Sequence, residues 1–214
     1  MPLPFLSDAL WFPPVEKAAA DGLLAYGGDL RTERLLLAYR SGIFPWFNQD
    51  EPPLWWCPDP RCVIFPDELY ISKSMQQLLK RNAFEFSINN SFAGVILLCA
   101  ETRKRKEGTW ITNKIMNAYY SLYQLGYAVS VEAWQRGELV GGLYGVRIGN
   151  IFFGESMFSK VSNASKYAFI TYVQQLKKEG IVLIDCQIYT AHLESLGARM
   201  IPREEFLKIV KQNI

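Results

Sequence analysis

Apolar and polar positions alternate in three consecutive stretches, Ala128–Trp134, Leu139–Ile148 and Ile151–Phe158. Gly137 and the pair Gly149-Asn150 separate them. Alternation with such short turns predicts antiparallel strands. Residues 163–179 switch to helical spacing, with Ser162 or Asn163 as cap and Gly180 as stop. An apolar run, 181–187, then reads as a strand. The order β-β-β-α-β places that strand parallel to the third, through a right-handed helical crossover. Upstream, helices are predicted after Thr32 (Leu35, Leu36, Ala38, Tyr39), near 73–81, near 91–101 and after Thr112 (Ile115, Ala118, Tyr119, Leu122). A last helix is predicted near 203–212, and the Pro-rich segment 52–60 reads as an ordered loop.

Two of these strands carry polar groups at their ends. Glu155 and Ser156 follow Ile151-Phe152-Phe153, and Asp185 and Gln187 follow Ile181-Val182-Leu183-Ile184. A carboxylate on an apolar strand is costly unless paired or used. The predicted crossover brings both clusters to one end of the sheet, which marks a site.

Composition narrows the class. The chain has 214 residues, half of them hydrophobic, enough for a large domain with a smaller one beside it. The predicted division is a small N-terminal α/β domain, 1–62, and a catalytic domain, 63–214. The net charge of +2 does not by itself point to nucleic acid, but the run Arg103-Lys104-Arg105-Lys106 does so locally. Cysteines stand at 57, 62, 99 and 186 without close pairing, and there is one His. That argues against zinc and for reduced thiols of a cytoplasmic protein. No signal peptide is evident, and no apolar run approaches the ~20 residues that span a bilayer.

Several strings, in order, closely resemble the leucyl/phenylalanyl-tRNA–protein transferase family. They include Gly42-Ile43-Phe44-Pro45-Trp46-Phe47, Trp55-Trp56-Cys57-Pro58-Asp59-Pro60-Arg61 and Gly108-Thr109-Trp110-Ile111-Thr112. Gly154-Glu155-Ser156-Met157-Phe158-Ser159, Asn163-Ala164-Ser165-Lys166, Asp185-Cys186-Gln187 and Ser195-Leu196-Gly197-Ala198 continue the series, and the likeness covers about residues 12–207. The resemblance implies an α+β acyltransferase fold like that of the N-acetyltransferase superfamily. It implies transfer of Leu, Phe or Met from leucyl-, phenylalanyl- or methionyl-tRNA to the N-terminal Arg or Lys of acceptor proteins, marking them for degradation. No cofactor, metal or membrane is expected, and the chain is expected to be a monomer.

Roles follow residue by residue. Asp185 is expected to accept a proton or act electrostatically, directly or through Gln187. Gln187 would hold the amine and the carbonyl with its two-sided amide. Glu155 would orient the donor, unless it is a structural ion pair with Lys160 or Lys166. The resemblance puts the aminoacyl pocket at Met157, Tyr172 and Leu176, and Phe169 shares their helical stripe. Trp46 and Trp110 are expected to stack on the 3′-terminal adenosine, and Arg103, Lys104, Arg105 and Lys106 to meet tRNA phosphates. By strict alternation Cys186 faces away from Asp185 and Gln187, and His192 reads as structural.

Two rivals remain. A coenzyme A-dependent acetyltransferase would need a Gly-rich loop before the long helix, where Ser159–Lys166 has no Gly. A non-catalytic tRNA-binding module would need the tryptophans and basic run but not Asp185, Gln187 or Glu155.

Overall fold

A computed structural model describes residues 2–104 and 109–214. The chain opens with strands β1 (Phe5–Leu6) and β2 (Leu23–Gly27), helix α1 (Thr32–Arg40), and strands β3 (Phe44–Pro45), β4 (Leu54–Trp56) and β5 (Arg61–Ile64). There follow α2 (Lys73–Lys80), β6 (Glu85–Ile88), α3 (Phe92–Lys104), α4 (Asn113–Gln124), β7 (Ala128–Gln135), β8 (Glu138–Ile148) and β9 (Ile151–Ser159). The last part holds α5 (Ala164–Lys178), β10 (Leu183–Gln187), α6 (Ala191–Glu194), β11 (Arg199–Ile201) and α7 (Arg203–Asn213). The architecture is α+β. None of the described helices is long and apolar enough to cross a membrane.

Two sheets form. The small one has the order β1-β2-β4-β3. The large one has seven strands in the order β11-β5-β10-β9-β8-β7-β6. Its neighbours pair antiparallel except β9 and β10, which run parallel across the α5 crossover as the pattern predicts. Helix α5 packs Tyr167, Phe169, Tyr172 and Val173 against one face. Helices α1, α3 and α4 cover the other face, where Leu35, Tyr39, Cys99 and Tyr119 join Trp55 and Leu24 of the small sheet in one continuous core. Both sheets therefore share apolar contacts that neither could bury alone.

The sequence-based elements differ from the structure in instructive places. Thr112 caps α4 through its side chain, accepting from the Ile115 N–H. Thr32 instead stands inside α1, whose N-cap is Arg31 with no side-chain bond. Asn163 precedes α5 in a left-handed conformation and likewise lends no side-chain cap. The segment 52–60 is not all loop: Leu54–Trp56 forms β4, between β2 and β3. Strand β5 follows it, and it enters the large sheet beside β10 and so carries Arg61 to the functional end.

Candidate active site

Strands β9 and β10 pair from Ile151↔Leu183 only as far as Phe153↔Asp185. Beyond that point β9 stays with β8 and β10 stays with β5, so the two strands part. Each carries a register shift where they separate. On β9 the shift lies between Gly154 and Ser156 and leaves Glu155 without a partner residue. On β10 it lies between Asp185 and Gln187 and leaves Cys186 without one. A bulge adds a residue, bends the strand and re-aims its side chains. Gln187 completes the second bulge with φ of 57°, in the left-handed region.

A cavity of about 440 Å³ occupies the gap. Leu143, Met157, Phe169 and Ile184 form an apolar wall. Trp46, Trp110 and Arg103 form an aromatic and basic one. Glu155, Gln187, Tyr144 and His192 also line it. A broader, shallower cleft of about 840 Å³ lies around the β8–β9 turn, between Arg40, Gly149 and Lys211, and holds none of the candidate residues.

Glu155 is not paired with Lys160 or Lys166. Its Oε1 accepts from the Tyr39 hydroxyl at 2.7 Å and its Oε2 from the Tyr119 hydroxyl at 2.9 Å. The two hydroxyls also lie 2.5 Å apart. Three contacts close this triangle, but the phenols bring only two protons. The third contact is filled when the carboxyl carries its own. Burial pushes Glu155 up to about 7, against the opposing pull of the two phenols. Burial, reinforced by Glu155, also keeps both phenols neutral.

Asp185 lies in a different setting. Arg61 grips it twice, Nε to Oδ1 at 2.8 Å and Nη2 to Oδ2 at 2.7 Å. Both side chains are fully buried. The guanidinium is sandwiched between the rings of Phe44 and Phe206, 4.8 and 4.5 Å from their centroids. The backbone N–H of Gln187 donates to Oδ1 at 3.0 Å. Asp185 thus pins the backbone of Gln187, whose Nε2 is buried without a hydrogen-bond partner. It does not line the cavity, and its oxygens are taken; the structure offers it as an anchor and not as an open proton acceptor.

Other expected residues divide cleanly. Met157 and Phe169 line the cavity, but Tyr172 and Leu176 do not. Tyr172 lies edge-on to Phe152 at 5.2 Å inside the core, and Leu176 is fully buried there. One helical stripe is longer than the gap, so only its first member reaches it. Arg103 donates to the Ser156 hydroxyl at 2.9 Å and lies over the Trp110 ring at 5.8 Å. It points into the cavity, while Lys104 is exposed at the end of α3. Arg105 and Lys106 lie outside the described residues. Trp46 is 41% exposed, packs against Trp56, and accepts its Nε1–H on the backbone oxygen at 2.7 Å. Trp55 is core.

Cys186 lines the cavity with Gln187, contrary to strict alternation, because the bulge breaks the two-residue period. The Cys62 thiol beside it, and then burial, push its thiol well up, so it is a poor nucleophile. Sequence reasoning missed Arg61, Tyr39 and Tyr119 as polar partners of the site. The two tyrosines read as helix core, and nothing local distinguishes a core tyrosine from one whose hydroxyl meets a carboxylate.

Residues 63–211 match the family described as leucyl/phenylalanyl-tRNA protein transferase, and residues 28–59 match its N-terminal domain. The chain belongs to this family. A leucyl/phenylalanyl-tRNA–protein transferase of Flavobacterium johnsoniae is 56% identical over 97% of this chain and 98% of its own length. One of Pseudomonas fluorescens is 55% identical over 97% of this chain and 92% of its own. Among solved structures, the PaiA N-acetyltransferase of Thermoplasma acidophilum, in complex with coenzyme A, aligns with a TM-score of 0.35 and 14% identity. It covers 45% of this chain and 75% of its own, a distant likeness that carries no argument. The family's transferases share with this chain both parts of its length, the part with Trp46 and the part with Glu155, Asp185 and Gln187.

Proposed function

We propose that this transferase moves Leu or Phe, and also Met, from aminoacyl-tRNA to the N-terminal Arg or Lys of acceptor proteins in the cytoplasm, acting as a monomer. The observation that carries this reading is the two-sided cavity between β9 and β10. Its apolar wall suits an unbranched or γ-branched aminoacyl side chain. Its Trp46, Trp110 and Arg103 wall suits the 3′-terminal adenosine. The ester carbonyl joins those two parts, so it falls between them, beside Gln187.

The reaction is aminolysis of an ester that already carries its activation. An α-amine has an ordinary pKa of about 7.7–8.0, so roughly a tenth or more is neutral at pH 7. Positioning is therefore the main demand. The Gln187 amide can donate through Nε2 to the ester carbonyl and accept from the amine through Oε1. Asp185, locked by Arg61, holds Gln187 in its left-handed conformation. Glu155, at the tip of its bulge, faces the positively charged groups of donor and acceptor. The small sheet's part of the chain contributes Trp46 and Tyr39; the large sheet and the helices packed on it contribute the rest. An apolar pocket separates side chains differing by one methylene by only ~1–3 kcal/mol, so some breadth among donors follows.

The test mixes the protein with tRNA carrying labelled Phe and a protein with N-terminal Arg, with the same acceptor acetylated at its α-amine as control. Label is expected on the free N-terminus alone, without ATP. Replacing Gln187 by Ala separates catalysis from binding: transfer is expected to fall while the tRNA remains bound. Transfer that survives this change would sink the assigned role of Gln187.

A further inference from the structure

Aminolysis moves one proton. The amine nitrogen loses it once the N–C bond forms, and the departing ribose oxygen gains it as the C–O bond breaks. We propose that His192 carries this proton, its Nε2 taking it from the attacking α-amine and returning it to the 3′-oxygen of the terminal ribose. The inference rests on the transfer reaction proposed above and adds a catalytic residue to it.

The other titratable groups at the cavity are each bonded or held neutral. Asp185 is sealed behind its two bonds from Arg61. Both oxygens of Glu155 are held by phenols. The Tyr144 phenol is kept neutral, first by burial. The Cys186 thiol is tied to Cys62. Arg103 is bonded to Ser156, and a guanidinium offers donors only. His192, the one His of the chain, lines the same cavity with its Nε2 buried and unpartnered. An unpartnered ring nitrogen hidden from water costs stability; a turn of the ring about its Cβ–Cγ bond presents it to an amine bound in the cavity.

Local structure holds the backbone of His192 in place. His192 stands in α6, which begins just after the β10 bulge; Thr190 caps that helix by accepting from the Leu193 N–H at 3.2 Å. The Ser195 hydroxyl donates to the His192 carbonyl at 2.7 Å and accepts from Lys166 of α5 at 3.2 Å. The charged and titratable groups around the ring are Lys166 from α5, Cys186 from β10, Glu155 across the cavity and Glu194 on its own turn. Burial first, and Lys166 second, keep the imidazole below its ordinary range and therefore neutral at pH 7. A neutral ring can accept. A weak base is enough, because the nitrogen of the tetrahedral adduct is far more acidic than a free ammonium.

The experiment compares wild type with His192→Gln and His192→Ala in labelled Phe transfer from phenylalanyl-tRNA to an acceptor with N-terminal Arg. Expected is a fall in kcat of about 10²-fold or more, with KM for the tRNA unchanged within about twofold. On the acid side, log kcat against pH should lose one proton's worth of slope in the variants. Glu155 and the acceptor amine titrate in both proteins, so the difference isolates His192. Added imidazole should restore part of the His192→Ala activity. Transfer by His192→Gln within about threefold of wild type overturns the proposal. So does a loss that comes with a lowered Tm and no response to imidazole, which marks a structural residue. A wild-type protein that transfers nothing instead overturns the functional reading on which the proposal stands.

Discussion

Asp185 and Glu155 stand on neighbouring strands where those strands part, and the fold handles them in opposite ways. Asp185 is buried against a full positive charge that is itself sandwiched between two aromatic rings. Glu155 meets only neutral donors and faces the cavity. The first arrangement fixes a carboxylate in place and keeps it from the cavity. The second leaves a group whose protonation changes near neutral pH. One carboxylate therefore serves geometry and the other can respond to what enters the site. Similar residues in similar strands become anchor or responder according to which partners the packing supplies.

The largest expected effect comes from breaking the anchor. Arg61→Met leaves Asp185 buried without its cation, and a buried pair broken on one side loses about 3–5 kcal/mol. Urea unfolding should show this as a lowered midpoint, and adding Asp185→Asn should recover much of it. Full stability in the single variant would mean that the pair does not anchor the strand end.

The responder is tested by pH. Glu155 lies at about 7 in the folded protein against an ordinary value of 4.5. Between those values the folded chain holds a proton that the unfolded chain releases. Its contribution is therefore complete below about 4.5 and is lost as the pH rises to about 7. Each unit is worth about 1.4 kcal/mol at most, reduced by the water that reaches the half-buried group. Unfolding curves of Glu155→Gln should lack this slope; an identical slope in both proteins would assign it to another group.

A finer test alters the phenols. Tyr39→Phe removes a donor that favours the ionised carboxylate. The upper end of the pH window should then move above 7, read from the same unfolding series. A downward move would contradict the assignment. The smallest effect is expected at Tyr144, whose hydroxyl is buried without a partner. Tyr144→Phe removes an unsatisfied group that costs about 1–3 kcal/mol at most, so Tm should hold or rise slightly. A fall of several degrees would reveal a bond that the hydroxyl makes in solution.

The contrast between anchor and responder was only half written in the chain. The alternation of 128–158 and the helical spacing of 163–179 gave the sheet, the crossover and the meeting of Glu155 with Gln187, because those signals are local and periodic. Met157, Phe169, Trp46 and Trp110 all line the cavity. Three things were not local. Arg61 sits in a Pro-rich stretch with no strand pattern, and its partner is far along the chain. Tyr39 and Tyr119 occupy apolar helix positions, where a hydroxyl leaves no mark on the spacing. The bulges add one residue to an otherwise regular alternation, which leaves Glu155 and Cys186 unpaired and overrides the side that simple counting assigns to Cys186.

The bonds that define the site also set a timetable for its assembly. Arg61 meets Asp185 across 124 positions, and Tyr39 and Tyr119 meet Glu155 across 116 and 36. A chain emerging from the ribosome makes the arginine and both phenols before either carboxylate. Until β10 has been added, the Arg61 guanidinium has no counter-charge and no reason to leave water. Closing such distant pairs comes late and slowly in folding. A truncated or half-folded chain can thus contain Trp46 and Trp110 of the cavity wall and still lack the site itself; chemical competence arrives only with the complete fold.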